Sequence, residues 1–303
     1  MQNLLEKGYY MKTLSRRSFL KKSALYGVTL LTSLAGGKYY MEEVEPNWID
    51  INQYTFSHPL IPPSFNQTRI VQFNDTHIGF QYDLSNLEKT VKIIEDLSPD
   101  LICFAGDLLD HPNEYKIPTE LYEILSSLTA PLGKYAVYGN HDHGGYGTEL
   151  YENIMVRCHF KVLRNRSNIL EMNGERILIA GVDDSSLGVP DIARALQGKP
   201  QNLFTLLLSH APDYAIAASS YPVHLQISGH SHGGQVQIPF IGPLITPPHA
   251  KKYYEGLYEI NERFSLYVNR GLGTTRIPYR LLCRPEITVF DLYQGEEGML
   301  PSS

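Results

Sequence analysis

From Thr68 onward short apolar runs alternate with amphipathic stretches, and this alternation restricts the fold more than any other feature of the chain. Arg69–Phe73 reads as a strand, and Ser85-Asn86-Leu87-Glu88 reads as a capping box opening a helix to about Leu97. Leu87, Val91 and Ile94 give that helix one apolar face. Leu101-Ile102-Cys103-Phe104-Ala105 is a continuous apolar run of the buried-strand type, followed by a helix near Thr119–Leu128 and a strand at Tyr135–Tyr138. Two successive strand–helix–strand units predict a parallel sheet.

The second half reads differently. Strands are expected at Ile177–Val182, Leu203–Ser209, Leu225–Ser228, Gln235–Ile238, Tyr258–Ile260, Ser265–Val268 and Ile287–Asp291, with helices at Pro190–Gln197 and Pro212–Ser219. Strands outnumber helices there, so a second mixed sheet is expected to pack on the first, giving a four-layer α/β/β/α sandwich. Residues 36–67 read as a lead-in with an edge strand at Trp48–Phe56, 68–292 as the domain, and 293–303 as a tail.

The N-terminus stands apart in charge. Lys7, Lys12, Arg16, Arg17, Lys21 and Lys22 face one acid, Glu6, within residues 1–35, whereas the whole chain carries −6. Ser15-Arg16-Arg17-Ser18-Phe19-Leu20-Lys21 precedes an apolar run from Ala24 to Ala35, and small residues close it at Ser33-Leu34-Ala35. This resembles a twin-arginine export signal, with Met11 an alternative start. The run falls short of the ~20 residues that cross a bilayer. Export machinery is thus an expected partner, and the mature protein is expected outside the cytoplasm, secreted or associated with wall or membrane. Its acidic balance argues against nucleic acid, whose phosphates call for a basic face. Cys103, Cys158 and Cys283 are odd in number and widely spaced, so no disulfide framework is indicated.

Metal-type residues recur just after the predicted strands: Asp75 and His77, then Asp107 and Asp110, then Asn140, His141 and His143. His210 closes the run at 206–209, and His230-Ser231-His232 follows Leu225–Ser228. Parallel strands bring such ends to one sheet edge, where open α/β sheets bind ligands. A pair of divalent ions about 3.5–4 Å apart needs a shared anionic ligand, with neutral imidazoles and amides completing each shell. Asp, His and Asn without Cys suit Mn, Fe or Zn.

Asp75-Thr76-His77, Gly106-Asp107, Gly139-Asn140-His141-Asp142, His210 and Gly229-His230-Ser231-His232 together resemble, in order, the motif set of the calcineurin-like metallophosphoesterases. The similarity runs on through Gly233-Gly234-Gln235, Asn269-Arg270-Gly271-Leu272-Gly273 and Arg284-Pro285-Glu286-Ile287, and looks like an exported bacterial phosphodiesterase-like subgroup. The resemblance implies two metals, one held by Asp75, His77 and His232, the other by Asn140, His210 and His230, with Asp107 between them. It implies His141 as an uncoordinated catalytic histidine and Asp142 as its orienting partner. The implied reaction is attack of a metal-activated hydroxide on phosphorus, by a phosphodiesterase or pyrophosphatase on an envelope, lipid-linked sugar or nucleotide substrate. A phosphomonoesterase and a catalytically silent scaffold of the same fold are the alternatives. A metallo-β-lactamase-type hydrolase is rejected, because Gly233-Gly234 follows His232 where that fold requires an HxHxDH run.

Asp110, His111 and His143 are expected in solvated or supporting roles, and the glycines at 144, 145 and 147 allow a loop to approach substrate. Arg276, Arg280, Arg284, Lys251 and Lys252 form a basic group whose simplest reading is a solvated face.

Overall fold

The computed structural model describes residues 16–143 and 148–302; the first half of the basic N-terminal segment and the glycine loop at 144–147 lie outside them. The chain divides into two units, Met1–Tyr40 and Met41–Ser303. In the first, α1 (Arg16–Tyr39) is a helix that buries none of its side chains. No described helix is long and apolar enough to cross a membrane.

The second unit holds, in order, β1 (Asp50–His58), β2 (Arg69–Phe73), α2 (Leu84–Asp96), β3 (Leu101–Phe104), α3 (Thr119–Ser127), β4 (Lys134–Ala136), α4 (Asn140–His143), α5 (Thr148–Arg157) and β5 (Phe160–Val162). There follow β6 (Arg166–Met172), β7 (Glu175–Gly181), α6 (Ile192–Ala195), β8 (Thr205–Leu208), α7 (Ala215–Ala218), β9 (Leu225–Ser228), β10 (Gln237–Ile238), β11 (Gly242–Pro243), β12 (Gly256–Asn261), β13 (Phe264–Val268), β14 (Glu286–Gln294) and β15 (Gly298–Pro301).

The first sheet runs β15-β1-β14-β2-β3-β4-β5, and the second runs β12-β13-β9-β8-β7-β6. Strands β2, β3, β4 and β5 pair in parallel with one another, as do β7, β8, β9 and β13, whereas β2 is antiparallel to β14 and β7 to β6. Alternation along each strand sorts its side chains between layers. On β3, Leu101 and Cys103 join Ile179, Leu206, Leu208 and Ile227 between the two sheets. Ile102 and Phe104 turn the other way, onto Leu87, Val91 and Ile94 of α2 and Leu121 and Leu125 of α3. On the far side, Leu207 and Leu266 pack against Ile192, Ala215 and Ala218. The architecture is the expected α/β/β/α sandwich.

Local details differ from expectation. The cap of α2 is Asp83, whose carboxylate accepts from Asn86 N while the Asn86 side chain accepts from Asp83 N, so the box begins two residues earlier than Ser85. Strand β1 is not an edge strand: it pairs in parallel with β14 and antiparallel with β15. The lead-in and tail therefore belong to the sheet, because nine β1–β14 residue pairs tie segments more than 230 residues apart in sequence. The helices expected at 190–197 and 212–219 shrink to α6 and to a 3-10 turn running into α7.

Candidate metal centre

Strand ends deliver the polar residues. Asp75 and His77 follow β2, Asp107 follows β3, Asn140 and His141 open α4 after β4, His210 follows β8, and His230 and His232 follow β9. Local sequence makes the turns tight. Asp75, His77, Asp107, His230 and His232 all sit at positive φ, a conformation that costs a non-glycine residue about 1–2 kcal/mol. Such strain gathers at functional sites because the surrounding fold over-determines it. Gly271 (φ 68) must be glycine, since a Cβ there would lie 2.6 Å from the Asp75 Cβ.

Hydrogen bonds to the outer nitrogen of each imidazole decide which nitrogen faces inward. His77 Nδ1 meets the Asp110 carboxylate at 3.0 Å, and His232 Nδ1 meets the Gly273 carbonyl at 3.3 Å. Both therefore carry their proton on Nδ1, and their bare Nε2 atoms face each other 3.0 Å apart. The Asp75 Oδ1 beside them is buried with no hydrogen-bond partner, while its Oδ2 accepts from Asn74 Nδ2 and His230 N. Two lone pairs and an orphaned carboxylate oxygen converging in a buried space fit a cation and nothing else in the chain's own chemistry.

A second cluster repeats the pattern. His210 Nδ1 meets the Ala105 carbonyl at 2.7 Å, and His230 Nε2 meets the Pro248 carbonyl at 2.8 Å. This leaves His210 Nε2 and His230 Nδ1 bare and 3.1 Å apart, with Asn140 Oδ1 3.3 Å from the former. Asp107 Oδ2 lies 3.3 Å from His210 Nε2 and 3.5 Å from His77 Nε2, so one carboxylate oxygen reaches both clusters. The donor set fits a pair of divalent cations: Asp75, His77 and His232 can hold one, Asn140, His210 and His230 the other, with Asp107 shared, and His141 also stands within ligating reach of His77 and Asp107.

The electrostatics of His230, His232 and Asp107 agree with that use, whereas at His210 burial is outweighed by Asp107 and Asp75, which raise its pKa well above the ordinary value, so a cation there has a proton to displace. Burial first, then the neighbouring His210, pushes His230 down to about 3, and burial with His77 nearby lowers His232, so both stay unprotonated at neutral pH. Burial opposes ionisation of Asp107, but His210 and His141 outweigh it and hold the carboxyl well below the usual range.

His141 lies at the rim of this cluster, with its side chain 21 % exposed. Its Nδ1 meets the Asp110 carbonyl oxygen at 2.6 Å, which leaves Nε2 available for proton transfer. Burial works against its protonation, yet Asp107, the Asp110 carbonyl and the Asp110 carboxylate raise its pKa above the ordinary value.

Asp142 corrects the sequence reading. Its carboxylate does not orient the His141 imidazole; it accepts backbone N–H bonds from Asp107 and Gly139 at 2.8 Å and from Leu108 at 3.0 Å. Burial, then repulsion from Asp107, pushes its pKa to about 7 against these three donors. The group beside His141 is Asp110, which also accepts from Thr275 Oγ1 at 2.8 Å. Its three-residue offset from Asp107 was the available signal: both follow β3 on one turn. His143 lies off the metal cluster against Asp183, Nε2 to Oδ1 at 2.7 Å, and the His111 side chain is exposed. The basic group also breaks up, since Arg280 is fully buried and donates to the carbonyls of Cys283, Arg270, Gly271 and Gly273.

The model of the calcineurin-like phosphoesterase family matches residues 68–234, over half the chain. The chain belongs to this family. It is 46% identical over 285 residues to a Bacillus subtilis protein named uncharacterized metallophosphoesterase YkuE, covering 93% of this chain and 99% of that one. It is 29% identical to the phosphodiesterase YaeI of Escherichia coli, covering 92% and 99% of the two chains. It is also 27% identical to the UDP-2,3-diacylglucosamine pyrophosphatase LpxG of Chlamydia trachomatis, covering 77% and 86%. The protein is accordingly a metallophosphoesterase, a hydrolase built for a dimetal centre.

Proposed function

We propose that this metallophosphoesterase is an exported phosphodiesterase or pyrophosphatase acting on an envelope, lipid-linked sugar or nucleotide substrate. The observation that carries the hydrolytic part is the pair of lone-pair clusters sharing Asp107 Oδ2, with the free Nε2 of His141 at their rim. Relatives named as a phosphodiesterase and as a UDP-diacylglucosamine pyrophosphatase support diester and pyrophosphate substrates. Bound divalent cations supply Lewis acidity to the phosphoryl oxygens and lower the pKa of water to near neutral.

The residues then have separate tasks. Asp75, His77, His232, Asn140, His210 and His230 would hold the ions, with Asp107 shared between the two groups of ligands. As water adds to phosphorus and gives up a proton to solvent, and the P–O bond to the leaving group breaks, the doubly protonated His141 ring, favoured by its raised pKa, would deliver its Nε2 proton to the departing oxygen. The Asp110 carbonyl holds His141 Nδ1–H and so points Nε2 outward. Export rests on Arg16-Arg17 and the apolar run after them; changing both arginines to lysine is expected to leave precursor in the cytoplasm, and normal export would refute that part.

The test uses the full chain loaded with Mn, comparing bis(p-nitrophenyl) phosphate with p-nitrophenyl phosphate. Preferred cleavage of the diester, lost in His141→Ala, is the expected result. Two bound metals with no turnover of either compound would favour the silent scaffold.

A further inference from the structure

The segment between His232 and Ala250 carries no Asp, Glu, Lys or Arg, and it is the largest exposed apolar feature among the described residues of the second unit. It forms the small hairpin of β10 and β11 and the strand-free run to Pro248. Phe240 at its turn is fully exposed, Ile241 and Ile245 are each 74% exposed, and Ile238 and Leu244 are also outside. Elsewhere in this unit exposed large apolar residues stand singly or in pairs, which needs no explanation. A contiguous projecting patch does.

Both roots of the hairpin are fixed to the metal centre. Its N-terminal root follows His232 directly, and Gly234 packs so tightly against Pro243 that a Cβ there would lie 2.3 Å from the proline Cβ. At the other root the Pro248 carbonyl accepts from His230 Nε2. The loop carrying Arg276 lies alongside, because Gln235 Oε1 accepts from Thr275 N and Gln237 N donates to Leu281 O. That loop adds exposed Ile277 and Leu282 to the patch.

Charge singles out the occupant. In an acidic chain, the exposed cations at the foot of this patch are Lys251, Lys252 and Arg276. Lys251 Nζ donates to the Thr246 carbonyl at the hairpin's end, and the Asp213 carboxylate pins the backbone N–H groups of Lys251, Lys252 and Tyr253. Glu255, the nearest acid after them, accepts from Gln237 Nε2 at 2.7 Å. An apolar tip with a cationic foot is the pattern that seats a segment at an anionic membrane surface: the tip enters the acyl boundary and the cations stay among the headgroups.

We propose that the 236–249 hairpin docks this protein on an anionic lipid bilayer and so sets the metal centre at the membrane surface. The inference rests on the phosphoesterase reading above and narrows its substrate class to phosphate esters or pyrophosphates presented at a bilayer.

The test places an indole at the tip of the full chain through Phe240→Trp, with the single native tryptophan removed by Trp48→Phe. Vesicles of phosphatidylcholine, with and without phosphatidylglycerol and carrying brominated acyl chains, serve as the probe. The expected result is a blue-shifted, bromine-quenched emission that needs phosphatidylglycerol and fades with salt. Vesicle flotation of the otherwise native chain should fall at least tenfold in Phe240→Ser/Ile241→Ser/Ile245→Ser, with turnover of soluble bis(p-nitrophenyl) phosphate unchanged. Flotation with an unquenched indole would assign membrane contact to α1 and overturn the proposal. An indole already shielded in buffer, with shielding that grows with protein concentration, would assign the patch to a second copy of the chain and overturn it as well. Loss of soluble-diester turnover in the unaltered chain would instead count against the phosphoesterase reading, whatever the vesicles show.

Discussion

Replacing Asp142 by Asn separates two roles that its motif position leaves open. As an orienting partner of His141, the Asp142→Asn side chain would lower turnover with metals and stability intact. The structure gives it a different task, since both carboxylate oxygens are filled by three buried N–H donors from the turns that present Asp107 and Asn140. An amide offers one oxygen and one NH2. Whichever way it turns, one or two N–H groups lose their acceptor and confront a donor, at about 1–3 kcal/mol for each orphaned group. Burying a neutral amide instead of a carboxylate returns part of this. A net loss of about 2 kcal/mol is expected for Asp142→Asn, and about 3 kcal/mol or more for Asp142→Ala, which strands all three donors. Urea unfolding of the metal-free chain measures the loss, and metal content after gel filtration reports whether Asp107 still presents its oxygen. Retention of both metals, stability within about 0.5 kcal/mol of the parent and a pure fall in kcat would refute this account, because a loss of that size is all a surface change produces.

His141→Ala should lower kcat/KM by about 10²–10⁴ while metal content is unchanged, as for loss of a general acid; loss of metal would make His141 a ligand. Gly271→Ala places a Cβ against Asp75 at positive φ, and should destabilise the chain by about 2 kcal/mol and weaken the site that holds Asp75, His77 and His232, read by denaturation and metal titration. His58 and His224 should make stability pH-dependent. Their Nδ1 atoms accept from Leu60 N and Thr205 N, and burial lowers both pKa values to about 4. The unfolded chain therefore binds more protons than the folded one between pH 6.5 and 4, and stability is full above 6.5 and falls as pH drops through that window. From pH 7 to pH 5 each histidine should cost up to about 2 kcal/mol and the pair up to about 4 kcal/mol, and His58→Phe/His224→Phe should flatten the curve relative to the parent. Equal slopes in both proteins would refute the assignment.

Much of the site was legible because of how parallel sheets are wired. Asp75, Asp107, Asn140, His210 and His230 each follow an apolar strand run, and parallel pairing carries such ends to one edge whatever their separation in sequence. The strand order within each sheet was not legible. Strand β1 looks like an edge segment because its alternation is weak, and only β14 and β15 on its two sides make it internal. The Asp142 role was hidden for a similar reason. Adjacency to His141 suggests a dyad, but in a helix neighbours point about 100° apart, and the Asp142 carboxylate turns back beneath Asp107.

The sequence by itself determined the layer architecture, the inventory of ligands and their order along the chain, since hydrophobic periodicity and motif spacing are local properties. Tertiary structure decided which imidazole nitrogens are bare, which carboxylate stands beside His141, and that the charge-free hairpin grows from the metal site. Each depends on a carbonyl, carboxylate or backbone N–H supplied from distant chain, such as the Gly273 carbonyl at His232 and the Ala105 carbonyl at His210. No local pattern records such a partner, because a side chain's proton position answers to what faces it in space.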